Sequence, residues 1–152
     1  MKKALTLSLL LLLLAPLSAF CQRATVASEK DYQSGEQVKF LLLQVDEAGI
    51  ERVLAAMKGR DGDFENLRET THWESFKLPN LVGAIEIKLT QGVWVTKKGQ
   101  GNFTPLPKLR PLKEGEQYAF KIMAKDNQGE DILSTQEKLD ALIEYLEGIA
   151  KG

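Results

Sequence analysis

The sequence predicts an α+β domain: an antiparallel sheet, open or folded into a partial sandwich, with two short N-terminal helices and a C-terminal helix packed on it. Three observations carry this expectation. Apolar residues recur at helical spacing over 34–58. The period changes to two from Ala84 onwards and again from Tyr118 to Lys125. Leu139, Leu142, Ile143, Leu146 and Ile149 then return to one face of a helix over about 135–150.

The first 21 residues, MKKALTLSLLLLLLAPLSAFC, stand apart. Lys2 and Lys3 precede an apolar run from Ala4 to Leu14, Pro16 breaks it and small residues follow, the grammar of a cleavable signal peptide. The run falls short of the roughly 20 apolar residues that span a bilayer, so no integral span is expected after cleavage. Cleavage after Cys21 or after Ala19 satisfies the small-residue rule. Lipidation at Cys21 is disfavoured by the bulky Phe20 before it. The protein is therefore expected in the periplasm or secreted. The 131 residues after Cys21 contain no cysteine and must fold without disulfides. Loss of Lys2 and Lys3 takes the basic residues from 20 to 18 against 21 acids, a net charge of −3. With no basic stripe visible, nucleic acid is not an expected partner.

Residues 22–33 are polar and unpatterned and read as a flexible lead-in to a single domain over 34–152. Ser34 with Gln37 has capping-box spacing, Val38, Leu41, Leu42 and Val45 follow at helical intervals, and Gly49 suits a stop. A rival reading makes VKFLLLQV a buried strand. Ile50, Val53, Leu54 and Met57 form a second stripe ending at Gly59. GRDGDF (59–64) is turn chemistry, and 64–76 fits neither period well, with a short helix capped by Asp63 preferred. KLPN (77–80) is a loop. Ile85, Ile87 and Leu89 alternate with polar residues, VWVTK (93–97) continues after Gln91-Gly92, and KGQGN is a glycine turn. Three prolines keep 104–112 at an edge or on the surface. Tyr118, Phe120, Ile122 and Ala124 share one face of a strand that DNQG (126–129) turns back. Ser134 with Glu137 gives a second capping box before the last helix. About four to five strands result, with the C-terminal helix covering one face.

The spacing Leu112, Gly115, Tyr118, Phe120, Ile122, Ala124 and Gly129 resembles the late strands of fibronectin type III domains, and Gly83 to Leu89 with Trp94 loosely resembles their middle strands. The resemblance implies a tyrosine corner, in which the Tyr118 hydroxyl bonds back to the preceding turn. It further implies a binding or spacer module whose function lies in its loops.

Candidate chemistry is sparse. On a helix, Glu65, Glu69 and His72 would share a face, and Glu69-x-x-His72 is a metal-ligand spacing; the ordinary reading is a solvated acidic face. Asp61, Asp63 and Glu65 begin like a calcium loop, but Asn66 and His72 stand where Gly and Glu are required. His72 with Ser75 is the only route to a base-activated nucleophile, and no Gly-x-Ser-x-Gly elbow exists. Trp94 and Phe103 flank TKKGQGN; exposed, they would form a binding loop with Lys97 and Lys98 for a glycan, peptide or polymer, and inward-facing they would be core. Tyr145 lies off the main stripe of its helix, where it could help a partner dock. The function expected is non-enzymatic binding of another envelope or extracellular protein or polymer, with no cofactor. A metal-dependent or hydrolytic enzyme around Glu65, Glu69 and His72 is the alternative. A structural or assembly subunit, pairing through a sheet edge near 92–97, is the third.

Overall fold

Strand pairing begins in the stretch the sequence marks as a lead-in. Arg23–Lys30 form β1, which pairs along its whole length with β2 (Gln37–Gln44). The computed structural model describes residues 22–58, 73–79, 81 and 83–152. After β2 come α1 (Glu47–Lys58), β3 (Glu74–Lys77), β4 (Ala84–Lys97), β5 (Gln100–Pro105), β6 (Glu116–Lys125), a 3-10 turn at Ile132–Ser134 and α2 (Gln136–Lys151). Among the described residues six strands form one antiparallel sheet in the order β1-β2-β6-β4-β3, with β5 also on β4. The domain is α+β.

Two N-terminal helices were expected and one forms. β2 takes the place of the first because Phe40, Leu41, Leu42 and Leu43 are buried on alternating faces of a central strand, which removes the polar half of its period. Ser34, in place of a helix cap, bonds Asp31 and receives Glu36 N–H within the β1–β2 turn. Gly49 does not stop a helix either. It lies in the first turn of α1, where its N–H donates to Asp46 Oδ1 at 2.7 Å and makes Asp46 the N-cap. The stripe Ile50, Val53, Leu54 and Met57 is buried as the periodicity requires. The expected helix over 64–76 lies mostly outside the described residues, and its end, Glu74–Lys77, is strand β3.

One long strand organises the sheet. β4 runs for 14 residues through Gln91-Gly92 without interruption. β6 lies along one edge, from Glu86↔Lys125 to Val95↔Glu116. The other edge is shared: β3 covers Ala84 to Ile87, and β5 covers Gly92 to Lys97. Segment 92–97 is therefore flanked on both sides for most of its length and is not the free edge that an assembly subunit would use.

The two sheet faces bury separate cores. Leu41, Leu43, Ile87, Leu89, Phe120 and Ile122 pack with both helices, chiefly Ile50, Val53, Met57, Leu139, Leu142 and Leu146. On the other face Phe40 and Leu42 (β2), Phe103 (β5) and Ala119 (β6) form a small cluster with Ala27 (β1) and Trp94 (β4). One cluster can draw on five strands because the sheet curls until β1 approaches β5. Two glycines permit this packing. A Cβ on Gly92 would lie 2.2 Å from the Thr104 carbonyl and 2.6 Å from the Phe103 ring, and one on Gly101 would lie 2.0 Å from the Trp94 indole.

Hydrogen bonds hold the connections. Asp126, 4 % exposed, accepts from the backbone N–H of Gln128 and Glu130 and from Lys138 Nζ, tying the β6 turn to α2. The Glu130 N–H above all, with Lys138 and the Gln128 N–H, holds its carboxyl below the ordinary carboxylate range. α2 begins after Thr135, which makes no side-chain cap bond; Ser134 donates instead to the Asp131 carbonyl. At its other end Arg52 of α1 donates to the Ala150 carbonyl. The Tyr118 hydroxyl of β6 donates to the Arg110 carbonyl at 2.6 Å, tying the strand back to the segment before its turn.

Candidate functional site

The hairpin expected to bind a ligand divides its residues between core and surface. β4 and β5 join through Lys98-Gly99, with φ of 52° and 76°, between the paired Lys97 and Gln100. This is the geometry of a two-residue turn with left-handed residues, whose twist matches that of the strands. Lys97 and Lys98 are exposed at its tip. Phe103 is buried. Trp94 is half-buried, its ring set edge-on to Phe40 at 6.0 Å between centroids and 78° between planes. The exposed aromatic beside this hairpin is Tyr32, at 88 % exposure, from the β1–β2 turn. With Lys30, Lys97, Gln100 and Asn102 it borders a shallow cleft of about 350 Å³. Nothing in the sequence pattern brings residue 32 to residue 100; the curl of the sheet does.

A second and more apolar space opens where β2 and β6 part. Val45 N–H donates to the Tyr118 carbonyl, and Leu41↔Ile122 is the last pair in register. By the alternation of an antiparallel ladder, Lys39 and Ala124 would form the next hydrogen-bonded pair. They do not pair. β2 stays with β1 as far as Gln37, β6 stays with β4 as far as Lys125, and Asp131 folds back to bridge Lys125. The result is a slot of about 210 Å³.

The slot reaches both faces of the sheet. Leu41, Ile122 and Ala124 line it with Leu139 and Leu142 of α2 on the helix side, and Phe40 and Met123 line it on the other. Ile132 and Leu133 close one end. Trp73, 38 % exposed, lies at the mouth, with Lys125 Nζ 4.5 Å from its ring centroid. Lys39 and Asp131 complete the rim. Asp131 Oδ1 is already occupied, accepting from Leu133 N–H, and Lys125 pairs with Glu86 at 3.3 Å. Lys39 has no carboxylate partner among the described residues. The sequence holds one sign of this site: FLLL, an unbroken apolar run, marks a strand buried on both faces. The divergence itself depends on partner strands and leaves no local trace.

Glu65, Glu69 and His72 lie outside the described residues, as does the calcium-like run from Asp61. Among the described residues no group of three or more His, Cys, Asp or Glu is placed to hold a metal ion. Ser75 is on β3, and Tyr145 is half-buried on α2. Among the described residues no helix is long and apolar enough to cross a membrane. Residues 1–21, Cys21 among them, are outside the described residues. No family model, curated protein or solved structure matches the chain.

Proposed function

We propose that this chain is an exported, non-catalytic binding protein that seats an apolar group in the slot between β2 and β6. The observation that carries this reading is the unfilled space itself. A slot of about 210 Å³, walled by aliphatic and aromatic side chains and open at Trp73, is smaller than the roughly 300–1,000 Å³ of drug-sized ligand pockets but shares their apolar lining with a few polar groups, and suits a small apolar group. Its polar groups are confined to the rim, where they would orient a ligand without performing chemistry on it.

Binding is tested by NMR titration of the 22–152 chain with octanol. Shifts confined to residues 39–41, 122–125 and 131–142 are expected. Shifts scattered over the surface, or none at millimolar octanol, would overturn the reading. Export is tested on its own by expressing the whole chain and weighing the product released from the cell envelope. A mass lacking residues 1–19 or 1–21 supports it, and an intact cytoplasmic chain overturns it.

The cleft at the β4–β5 hairpin supports a second reading, recognition of a polymer or protein of the envelope. Lys98 adopts a positive φ, a conformation that costs a side-chain-bearing residue about 1–2 kcal/mol. A lysine there, beside exposed Tyr32 and Lys97, suits contact with an anionic or hydroxylated partner.

A further inference from the structure

We propose that the ligand of the slot is a medium-chain aliphatic carboxylate, with its chain between β2 and β6 and its head group on Lys39. This inference rests on the slot being a binding site and adds the chemistry of the occupant.

Size sets the chain. An apolar cavity of about 150 Å³ holds benzene, so about 210 Å³ takes only a modestly larger group, on the order of eight carbons in a folded or bent chain. A long-chain lipid would leave most of its tail in water. Among the described residues the apolar walls are aliphatic apart from Phe40 and Trp73, and Leu41, Ile122, Leu139 and Leu142 line the helix side. A polar ring or sugar would lose its hydrogen bonds there without replacement.

Charge sets the head group. The rim carries two ammonium groups, Lys39 and Lys125, and one carboxylate, Asp131. Asp131 holds the 3-10 turn through Leu133 N–H, and the nearby Glu86 is taken by Lys125. Lys39 remains uncommitted among the described residues, on the strand whose backbone leaves β6 at that position. An amphiphile entering tail first would bring its head to the rim, where an anion gains the uncommitted ammonium of Lys39, while the other rim ammonium, Lys125, is already paired with Glu86.

The test is isothermal titration of the 22–152 chain with octanoate, octanol and hexadecanoate, each below its micellar concentration, repeated with Lys39→Glu. Lys39 is exposed, so the variant is expected to fold, and its melting temperature checks this. Octanoate is expected to bind about tenfold more tightly than octanol, a difference of one charge-assisted contact. Lys39→Glu should abolish that preference and leave octanol unchanged. Equal affinity for octanoate and octanol in the native chain would overturn the carboxylate assignment while the slot remains a binding site. Hexadecanoate binding more tightly than octanoate would overturn the size assignment. No binding of any of the three would overturn the slot as a site, and this inference with it.

Discussion

Glu29 of β1 accepts a hydrogen bond from the backbone N–H of Phe103 on β5, with Oε2 3.0 Å from the nitrogen. Its other oxygen takes Lys121 Nζ at 3.0 Å, and that ammonium lies 4.8 Å from the centre of the Phe40 ring. One side chain thus joins the two strands that the curl brings together and serves a backbone donor on β5. Glu29→Ala should cost about 1–3 kcal/mol in urea denaturation, because it strands the Phe103 N–H. Glu29→Gln keeps an acceptor for that N–H and should lose less. Equal losses in the two variants would mean that the ion pair to Lys121 dominates.

Gly101 lies against the Trp94 indole, and a methyl group there has no room. Gly101→Ala should displace the ring, shift its fluorescence and destabilise by about 1–3 kcal/mol. Trp94→Ala should also lower the melting temperature through the same cluster. An unchanged melting temperature in both would place Trp94 outside the core.

Lys98 and Gly99 form a turn that asks for two left-handed residues. Lys98→Asn should raise stability by up to about 1 kcal/mol, since asparagine tolerates that conformation better. If the hairpin also binds a partner, the stabilised variant should bind it less well. Thermal unfolding and a pull-down on the same preparation read both effects.

Arg110 grips Glu116 with both guanidinium nitrogens, at 2.7 and 2.8 Å, and Lys113 N–H donates to the same carboxylate. The Arg110 bond first, and the Lys113 N–H second, pull the Glu116 carboxyl from 4.5 down to about 2. A carboxylate depressed in the folded state stabilises fully above its unfolded value, and that stabilisation is lost as pH falls from about 4.5 through about 2. Glu116→Gln should therefore be less stable than the native chain at pH 7 and lose less on acidification across that window. The urea midpoint at pH 7, 4.5 and 2.5 measures it. Asp126, depressed as well, leaves some acid sensitivity in the variant.

Legibility in the sequence followed the number of faces each element buries. α2 and β6 each show a periodic apolar face, α2 over 136–151 and β6 over 116–125, and both were readable to within a residue or two. β2 is buried on both faces, and its run FLLL satisfies a helix template as easily as a strand. β1 was illegible for the opposite reason. ATVASE carries little apolar surface, since a strand at this position is held by pairing with β2 and by Glu29 more than by burial. The same division governs the sites. The exposed lysines of the β4–β5 turn follow from local chemistry. The inward turn of Phe103, the arrival of Tyr32 beside that hairpin and the parting of β2 from β6 depend on how distant strands curl together.

Leu43 pairs with Phe120, 77 positions further along the chain. The β1–β2 hairpin can close early, yet its four consecutive buried residues, Phe40 to Leu43, have no second neighbour until β6 is present. Pairing at such separation is slow because loop closure must precede the contacts that reward it. A chain made from its N-terminus carries an exposed FLLL strand through most of its synthesis, and that strand is the segment for which a holding chaperone would have the most use.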